Sequence, residues 1–279
     1  MRYKDALLGI IFTVSLFSCK KDQGNSINPP AVPPAVSTKH VLLKDITISR
    51  LPSPYYHFEY NTDSLVTKAD FASGFTIYDI FYSENKIREM RNNIIVNHDT
   101  LRYVYDNTGK LAMITFINDA NVIYRHATFT YNGAQIKSIE WDRKDGNGVF
   151  MIDRTITFTF YPDDNVNAIT EHRPSLNGVA EYNSIMTFEQ YDDKVNVDDF
   201  SLIHDGIHDH LFLLQGFRLQ KNNPKKEMLS VNGVDLYTNQ YTYTYNNDDT
   251  PSTKMGDFLY LSGPNAGQRF QTNSIYTYY

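Results

Sequence analysis

The sequence predicts an all-β protein: an antiparallel meander of repeated hairpins forming a large barrel-like or strongly curved sheet. Three observations predict it. The 279-residue chain is 14% aromatic, with 21 Tyr and 17 Phe against a single Trp, a composition suited to pleated, half-buried surfaces. Aromatic and polar residues alternate at period two, the spacing at which neighbouring side chains leave a strand on opposite faces. One plan, alternating aromatics followed by a polar turn and an aliphatic restart, recurs along the chain.

The first forty residues stand outside that plan. Arg2 and Lys4 precede an apolar run from Ala6 to Phe17 that is too short to cross a bilayer as a helix and suits an export signal over residues 1–18. Leu16-Phe17-Ser18-Cys19 resembles the bacterial lipobox, which implies acylation of Cys19. Phe17 departs from the small or aliphatic residue usual there, and the alternative is a plain secretory signal cut near Ser18. Cys19 is the only cysteine, so an exported chain has no internal disulfide and its stability rests on its core. Residues 19–40 then read as a lipid-anchored tether, Pro-rich over 23–38 and biased toward polyproline II. Lys20-Lys21-Asp22 lacks an acidic residue directly after Cys19 and weakly resembles the charged tag of surface-exported lipoproteins.

Residues 41–279 read as a single antiparallel β domain. Five stretches carry the plan: "FEYNTDSLVTKADF" (58–71), "IFYSENKIREM" (80–90), "YVYDNTGKLAMITF" (103–116), "FTYNGAQIKSIEW" (129–141) and "FTFYPDDNVNAITE" (158–171). Their anchor aromatics Tyr60, Tyr82, Tyr105, Tyr131 and Phe160 stand 22, 23, 26 and 29 residues apart, one hairpin plus its return. Within a strand, Tyr103 and Tyr105 share a face and Val104 takes the other. Looser copies lie at 188–197 and 241–254. About a dozen strands follow, and a flat sheet of that width would expose its edges, which favours closure.

From Phe200 to Asp235 the rhythm breaks. The dense apolar run "IHDHLFLLQGFRL" (207–219) predicts a short helix or capping strand near 207–216, covering one mouth of the sheet. Two final strands are expected across Gly263-Pro264-Asn265.

The stretch 103–111 resembles the Tyr-Asp repeats of RHS-type shells: an aromatic, one residue, Tyr-Asp, two residues, Gly, one residue, Leu. A broader resemblance covers most of the mature chain. The lipobox, the Pro-rich tether, the hairpin series, "KNNPKKE", "YTYTYNNDD" and "PSTK" together resemble uncharacterised lipoproteins of Gram-negative bacteria, a domain of unknown function described as having a porin-like fold. In that family the last hairpin carries a Gly-Tyr-Pro-Thr-Lys run; here Thr250-Pro251-Ser252-Thr253-Lys254 lacks the Gly and inserts a Ser. The resemblance implies a barrel-like sheet and an outer-membrane lipoprotein, facing periplasm or cell surface. It supplies no catalytic residue.

Candidate chemistry is sparse. His204, His208 and His210 fall within seven residues; His204 and His208 share a face if helical, His208 and His210 if extended, and either pair suits Zn²⁺ with Asp205 or Asp209 nearby. The competing reading is a polar loop. "DRKDGNG" (142–148) fails the calcium-loop spacing because Arg143 falls where an oxygen ligand is needed, so a hairpin turn is expected. Asp163-Asp164 and Asp192-Asp193 read as solvated turns rather than an acid–base pair. No nucleophile elbow, phosphate loop or metalloprotease motif occurs, so neither enzymatic activity nor a cofactor is expected.

Loss of residues 1–18 moves the net charge from −6 to −7, because Arg2 and Lys4 leave with Asp5. That balance argues against nucleic acid as a partner. The expected contacts are the membrane, through the anchor, and a glycan or envelope protein, with exposed tyrosines as platforms for sugar rings. The alternatives are a scaffold without a small ligand and, less favoured, a metal-dependent enzyme resting on His204, His208 and His210 alone. A membrane-spanning barrel, suggested by Tyr276-Thr277-Tyr278-Tyr279, is disfavoured because Thr fills alternate faces in "YTYTYN" and "RTITFTF".

Overall fold

The computed structural model describes residues 41–95, 97–176, 178–203 and 218–279. Sixteen described strands follow one another: β1 (Leu43–Ile48), β2 (Tyr56–Tyr60), β3 (Val66–Phe71), β4 (Thr76–Ser83), β5 (Lys86–Asn92), β6 (Thr100–Tyr105), β7 (Leu111–Ile117) and β8 (Ile123–Asn132), then β9 (Gln135–Lys144), β10 (Phe150–Phe160), β11 (Val166–Arg173), β12 (Tyr182–Glu189), β13 (Lys226–Val231), β14 (Val234–Tyr245), β15 (Pro251–Tyr260) and β16 (Arg269–Tyr278). Each pairs antiparallel with the next, and β1 pairs with β16 through Ile46 opposite Tyr276, so the sheet is a closed barrel. Closure leaves no strand edge exposed. The expectation of about a dozen strands falls short of the sixteen; β1 and β13 in particular carry no aromatic-turn plan.

All five repeat stretches are hairpins whose turns lie at one end of the barrel, the repeat rim, where β1 begins and β16 ends. At each of them the register shifts by one residue beside the anchor aromatic, as between Val104 and Tyr105 or Thr130 and Tyr131. Such bulges add local twist and coil, which a sheet closing on itself requires. Side-chain caps hold the turns: Asp106 Oδ1 accepts the amides of Thr108 and Lys110, and Asn61 Oδ1 accepts those of Asp63 and Leu65. "DRKDGNG" is a hairpin turn as expected, at the opposite rim, with Asp145 Oδ1 accepting the amides of Asn147 and Val149.

The inward face carries the core. Trp141, Tyr78, Phe58, Phe116 and Phe188 are fully buried, with Ile46, Ile87, Met90, Leu101, Ile114 and Ile139. Each such side chain contributes about 1.5–3 kcal/mol by leaving water. The outward face is mostly polar. In β14 it presents Thr238, Gln240, Thr242 and Thr244, in β10 Thr155, Thr157 and Thr159, and in β16 Gln271, Asn273 and Thr277 with Ile275 between them. A membrane-spanning barrel has the reverse pattern, an apolar band outside and a polar lumen.

The β12–β13 connection is the long one. Its described parts, 190–203 and 218–225, fold against inward-facing residues: the Phe200 ring meets Tyr56 at 5.2 Å and Phe58 at 5.3 Å, both edge-on. Phe200, Ile203 and Leu219 thereby join the core. A barrel of this strand number otherwise leaves an open channel; here aromatic side chains and this connection occupy the lumen. The predicted helix or cap at 207–216 lies outside the described residues.

Candidate binding cleft at the repeat rim

The repeated tyrosine has one job around this rim. The phenol of Tyr60 donates to the Leu43 carbonyl at 2.8 Å, Tyr82 to Val66 at 2.7 Å, Tyr105 to Ile87 at 2.8 Å and Tyr131 to Leu111 at 2.8 Å. Tyr191 donates to Val166 at 2.7 Å and Tyr278 to Pro251 at 2.6 Å. In each case the tyrosine, at or just past the end of an even-numbered strand, latches onto the first or second residue of the odd-numbered strand before it. Two units depart from this: Phe160 stands at the same position in β10 without a hydroxyl, and Tyr245, ending β14, donates to Asp192 instead. Burial pushes the Tyr105 phenol up to about 12 and raises Tyr60, Tyr82, Tyr131 and Tyr191 as well, so all remain hydrogen-bond donors at neutral pH.

Inside the barrel a polar network holds the β12–β13 connection. Asp198 accepts Tyr276 Oη at 2.7 Å and pairs with Lys254 Nζ at 3.2 Å; the two side chains of the ion pair are 11% and 17% exposed. Lys254 also lies 4.6 Å from the centre of the Tyr241 ring. Asn196, wholly within this region, donates to Asp198 and Asn223, and Asn165 Oδ1 accepts the amides of Lys221 and Asn222. Asp192 belongs here too: Tyr245 donates to its carboxylate, and the Asn223 amide does so at 3.1 Å. The Asp192-Asp193 pair is therefore split, Asp193 in solvent and Asp192 fixed in the network, contrary to the reading of both as a solvated turn.

Where this connection meets the hairpins β6–β7 and β8–β9, a cleft of about 510 Å³ opens. Among the described residues, Lys86, Lys110, Arg218 and Lys221 line it with one carboxylate, Asp164, beside Tyr105, Tyr131, Leu111 and Ile136. Asp164 accepts Gln135 Nε2 at 2.8 Å. Lys86 Nζ lies 5.2 Å from the Tyr105 ring centre and Lys110 Nζ 5.0 Å from that of Tyr131. Both arrangements follow from the latch: each lysine directly precedes the residue whose carbonyl the tyrosine binds. A chain of net negative charge thus carries a cluster of cations beside an apolar wall, suited to an anion attached to a hydrophobic or ring-bearing body.

Of the residues singled out in the sequence, Tyr105 and Tyr131 reach the cleft, but their hydroxyls are engaged in latches and lysines approach their faces. They line it without serving as free stacking platforms. His204, His208 and His210 lie outside the described residues, as does Cys19. The four cations were missed because they come from separated segments; the available signal was the Lys before the restart in "ENKI" and "TGKL".

These features define a class, porin-like antiparallel barrels with an occupied lumen. No family model matches the chain, and no curated protein matches it. Among solved structures it is similar to a porin-like protein from Bacteroides uniformis ATCC 8492, at 16% identity over 80% of this chain and 89% of that one, with a TM-score of 0.54. It is also similar to a porin-like protein from Bacteroides vulgatus ATCC 8482, at 14% identity over 85% of this chain and 98% of that one, with a TM-score of 0.59. The likeness is one of fold.

Proposed function

We propose that this protein is an outer-membrane lipoprotein, acylated at Cys19, whose barrel is a binding module for an acidic glycan. The observation that carries the reading is the rim cleft, where the described residues set Lys86, Lys110, Arg218 and Lys221 against one carboxylate. Uronate or sulfate groups would meet the cations, and the sugar body would lie against the apolar wall of Leu111 and Ile136. The occupied lumen and polar outer wall favour binding at the rim over conduction through the barrel. The lipobox-like Leu16-Phe17-Ser18-Cys19 and the two porin-like neighbours from Bacteroides support the envelope assignment.

The test is thermal unfolding of residues 20–279 against uronate-bearing and neutral oligosaccharides of equal length. A ligand at about a hundred times its dissociation constant adds roughly 2.7 kcal/mol to folded stability. A shift with the acidic series alone supports the module; equal silence with both would transfer the role to a protein partner or a scaffold. Acylation is read separately, as the mass of the N-terminal peptide from membranes.

A further inference from the structure

On the inner face of β12–β16 one row of residues runs straight across five strands: Phe188, Glu227, Asn239, Phe258 and Phe270 are register partners in turn. Register partners share a face of the sheet, and Phe188 is a fully buried core residue, so the whole row points into the lumen. Tyr237 and Tyr241 stand two residues either side of Asn239 and share that face. The inward rings Phe58, Tyr78 and Phe116 of β2, β4 and β7 are fully buried, but Tyr237, Phe258 and Phe270 are half-buried. This wall therefore keeps accessible surface inside the barrel.

The row carries a negative charge without a cation. Glu227 Oε1 accepts the phenol of Tyr237 at 3.0 Å, and Oε2 that of Tyr241 at 2.7 Å. Burial first and the Glu227 charge second hold both phenols far above their ordinary value, so both stay protonated donors. Among the described residues no ion pair reaches Glu227: the inward cations of this half are committed elsewhere, Arg154 and Arg173 to Glu171 and Lys254 to Asp198. A carboxylate offers about four lone-pair sites, so each oxygen of Glu227 keeps one open. Its register partner Asn239 is 7% exposed, and its Oδ1 is buried without a hydrogen-bond partner among the described residues. Such an orphaned acceptor is costly and therefore rare. The same atom and Thr272 Oγ1 each lie 2.8 Å from where a Cβ on Gly256 would stand, so two oxygens converge over a position that has no side chain.

We propose that this row binds an organic ammonium: a primary amine carried on an apolar body, with Glu227 as its counter-ion and Asn239 Oδ1 as a further acceptor. The match is one of donors to acceptors. The row presents open acceptor sites on two neighbouring side chains, and a primary ammonium has three N–H donors and no acceptor. The rings supply the surface for its body. Tyr237 and Phe258 stand 4.3 Å apart and Phe258 and Phe270 4.5 Å, with planes inclined by 34° and 24°. Their faces are largely turned to one another, so they offer an apolar wall rather than a cation–π box. A metal ion fits less well, because Ca²⁺ takes roughly six to eight oxygens and no group of three His, Cys, Asp or Glu gathers among the described residues.

The experiment is titration calorimetry of residues 20–279 with n-butylammonium and phenethylammonium, each against its neutral alcohol, n-butanol and 2-phenylethanol. All sixteen strands and the core lie within 43–279, so this chain carries the whole wall. At least one amine should bind, at least about tenfold more tightly than its alcohol. Glu227→Gln keeps an oxygen for a phenol and should weaken amine binding at least about tenfold, with thermal unfolding showing the barrel intact. Asp257→Asn removes the same charge from the outer wall, where Asp257 pairs with Arg269, and should leave the affinity unchanged. Silence with both amines, alcohols that bind as tightly as amines, or a folded Glu227→Gln chain of unchanged affinity overturns the proposal. Equal loss in Asp257→Asn would reveal a response to net charge alone and overturn it too. Should Glu227→Gln not fold, the comparison of amine with alcohol on the unmodified chain decides. The rim cleft repels amines, so none of these outcomes bears on the acidic-glycan reading.

Discussion

The phenol of Tyr131 donates a 2.8 Å hydrogen bond to the carbonyl of Leu111, twenty residues earlier and on the neighbouring strand. Leu111 in turn faces Tyr105, the tyrosine of its own hairpin, across the bulged register. The restart residue thus has two partners, the aromatic of its own unit and that of the next, and this double use ties each hairpin to its successor around the rim.

Removing one latch should weaken the barrel by a hydrogen bond and no more. Tyr131→Phe is expected to cost about 1 kcal/mol, since the ring stays and a rim carbonyl can turn to water. The converse change tests the logic of the repeat. Phe160→Tyr should place a hydroxyl within reach of the Ile136 carbonyl, the acceptor that the pattern assigns to it, and raise stability by up to about 1 kcal/mol. Urea unfolding of both variants checks this; a destabilised Phe160→Tyr would show that position to lie outside the latch series.

The buried ion pair should respond differently. Lys254→Met leaves the Asp198 carboxylate facing Tyr276 and Asn196 inside the barrel without its cation, and is expected to cost roughly 2–4 kcal/mol. Adding Asp198→Asn should recover much of that loss, because no uncompensated charge then remains. Four unfolding curves completing this double-variant cycle measure the coupling.

Hairpins were legible in the sequence because their signal is local: period-two aromatics, a turn that accepts left-handed backbone and an aliphatic restart all fall within fourteen residues. Closure was expected on the argument that a wide open sheet exposes its edges, and the pairing of β1 with β16 bears it out. The latch was not legible, since nothing in "YVYDNTGKL" says that its tyrosine binds the preceding unit rather than its own. The β12–β13 connection was harder still. Its Asn196, Asp198, Asn223 and Asp192 look like loop residues, and only the surrounding inward tyrosines turn them into a buried network. For the same reason the cleft could not be assembled, because its cations come from two hairpins and a distant connection.

Charge reversal in the cleft separates electrostatic recognition from mere proximity. Lys86→Glu and Lys110→Glu should each weaken binding of a uronate-bearing oligosaccharide about tenfold; the exposed Lys86 should leave the unfolding midpoint of the free protein nearly unchanged, whereas Lys110, which donates to the Gly133 carbonyl, should lower it slightly. Affinity should also fall with added salt, because exposed charges are screened over about 8 Å at physiological ionic strength. Titration calorimetry at two salt concentrations checks both. Salt-independent binding that survives both reversals would move the ligand elsewhere on the barrel.

Asp199 provides the pH dependence. It opens the short 3₁₀ turn Asp199–Ser201, and its Oδ2 accepts the Leu219 amide at 2.8 Å and the Gln220 amide at 3.4 Å, tying the two described halves of the β12–β13 connection together. Burial raises its carboxyl from the ordinary 3.8 to about 6; the amides and Arg218 oppose the rise, and the neighbouring Asp198 charge adds to it. An acid whose affinity for its proton is higher in the folded state stabilises that state when protonated. The contribution is full below the unfolded value and disappears as pH rises through about 6. The gap between 3.8 and about 6 limits it to roughly 3 kcal/mol. Asp199→Asn keeps an oxygen for the two amides and removes the titration. The native chain should therefore gain stability relative to the variant as pH falls from about 7 to about 4, where most of that roughly 3 kcal/mol is recovered. Parallel stability curves for the two chains across that range would show that Asp199 ionises there as it does in the unfolded protein.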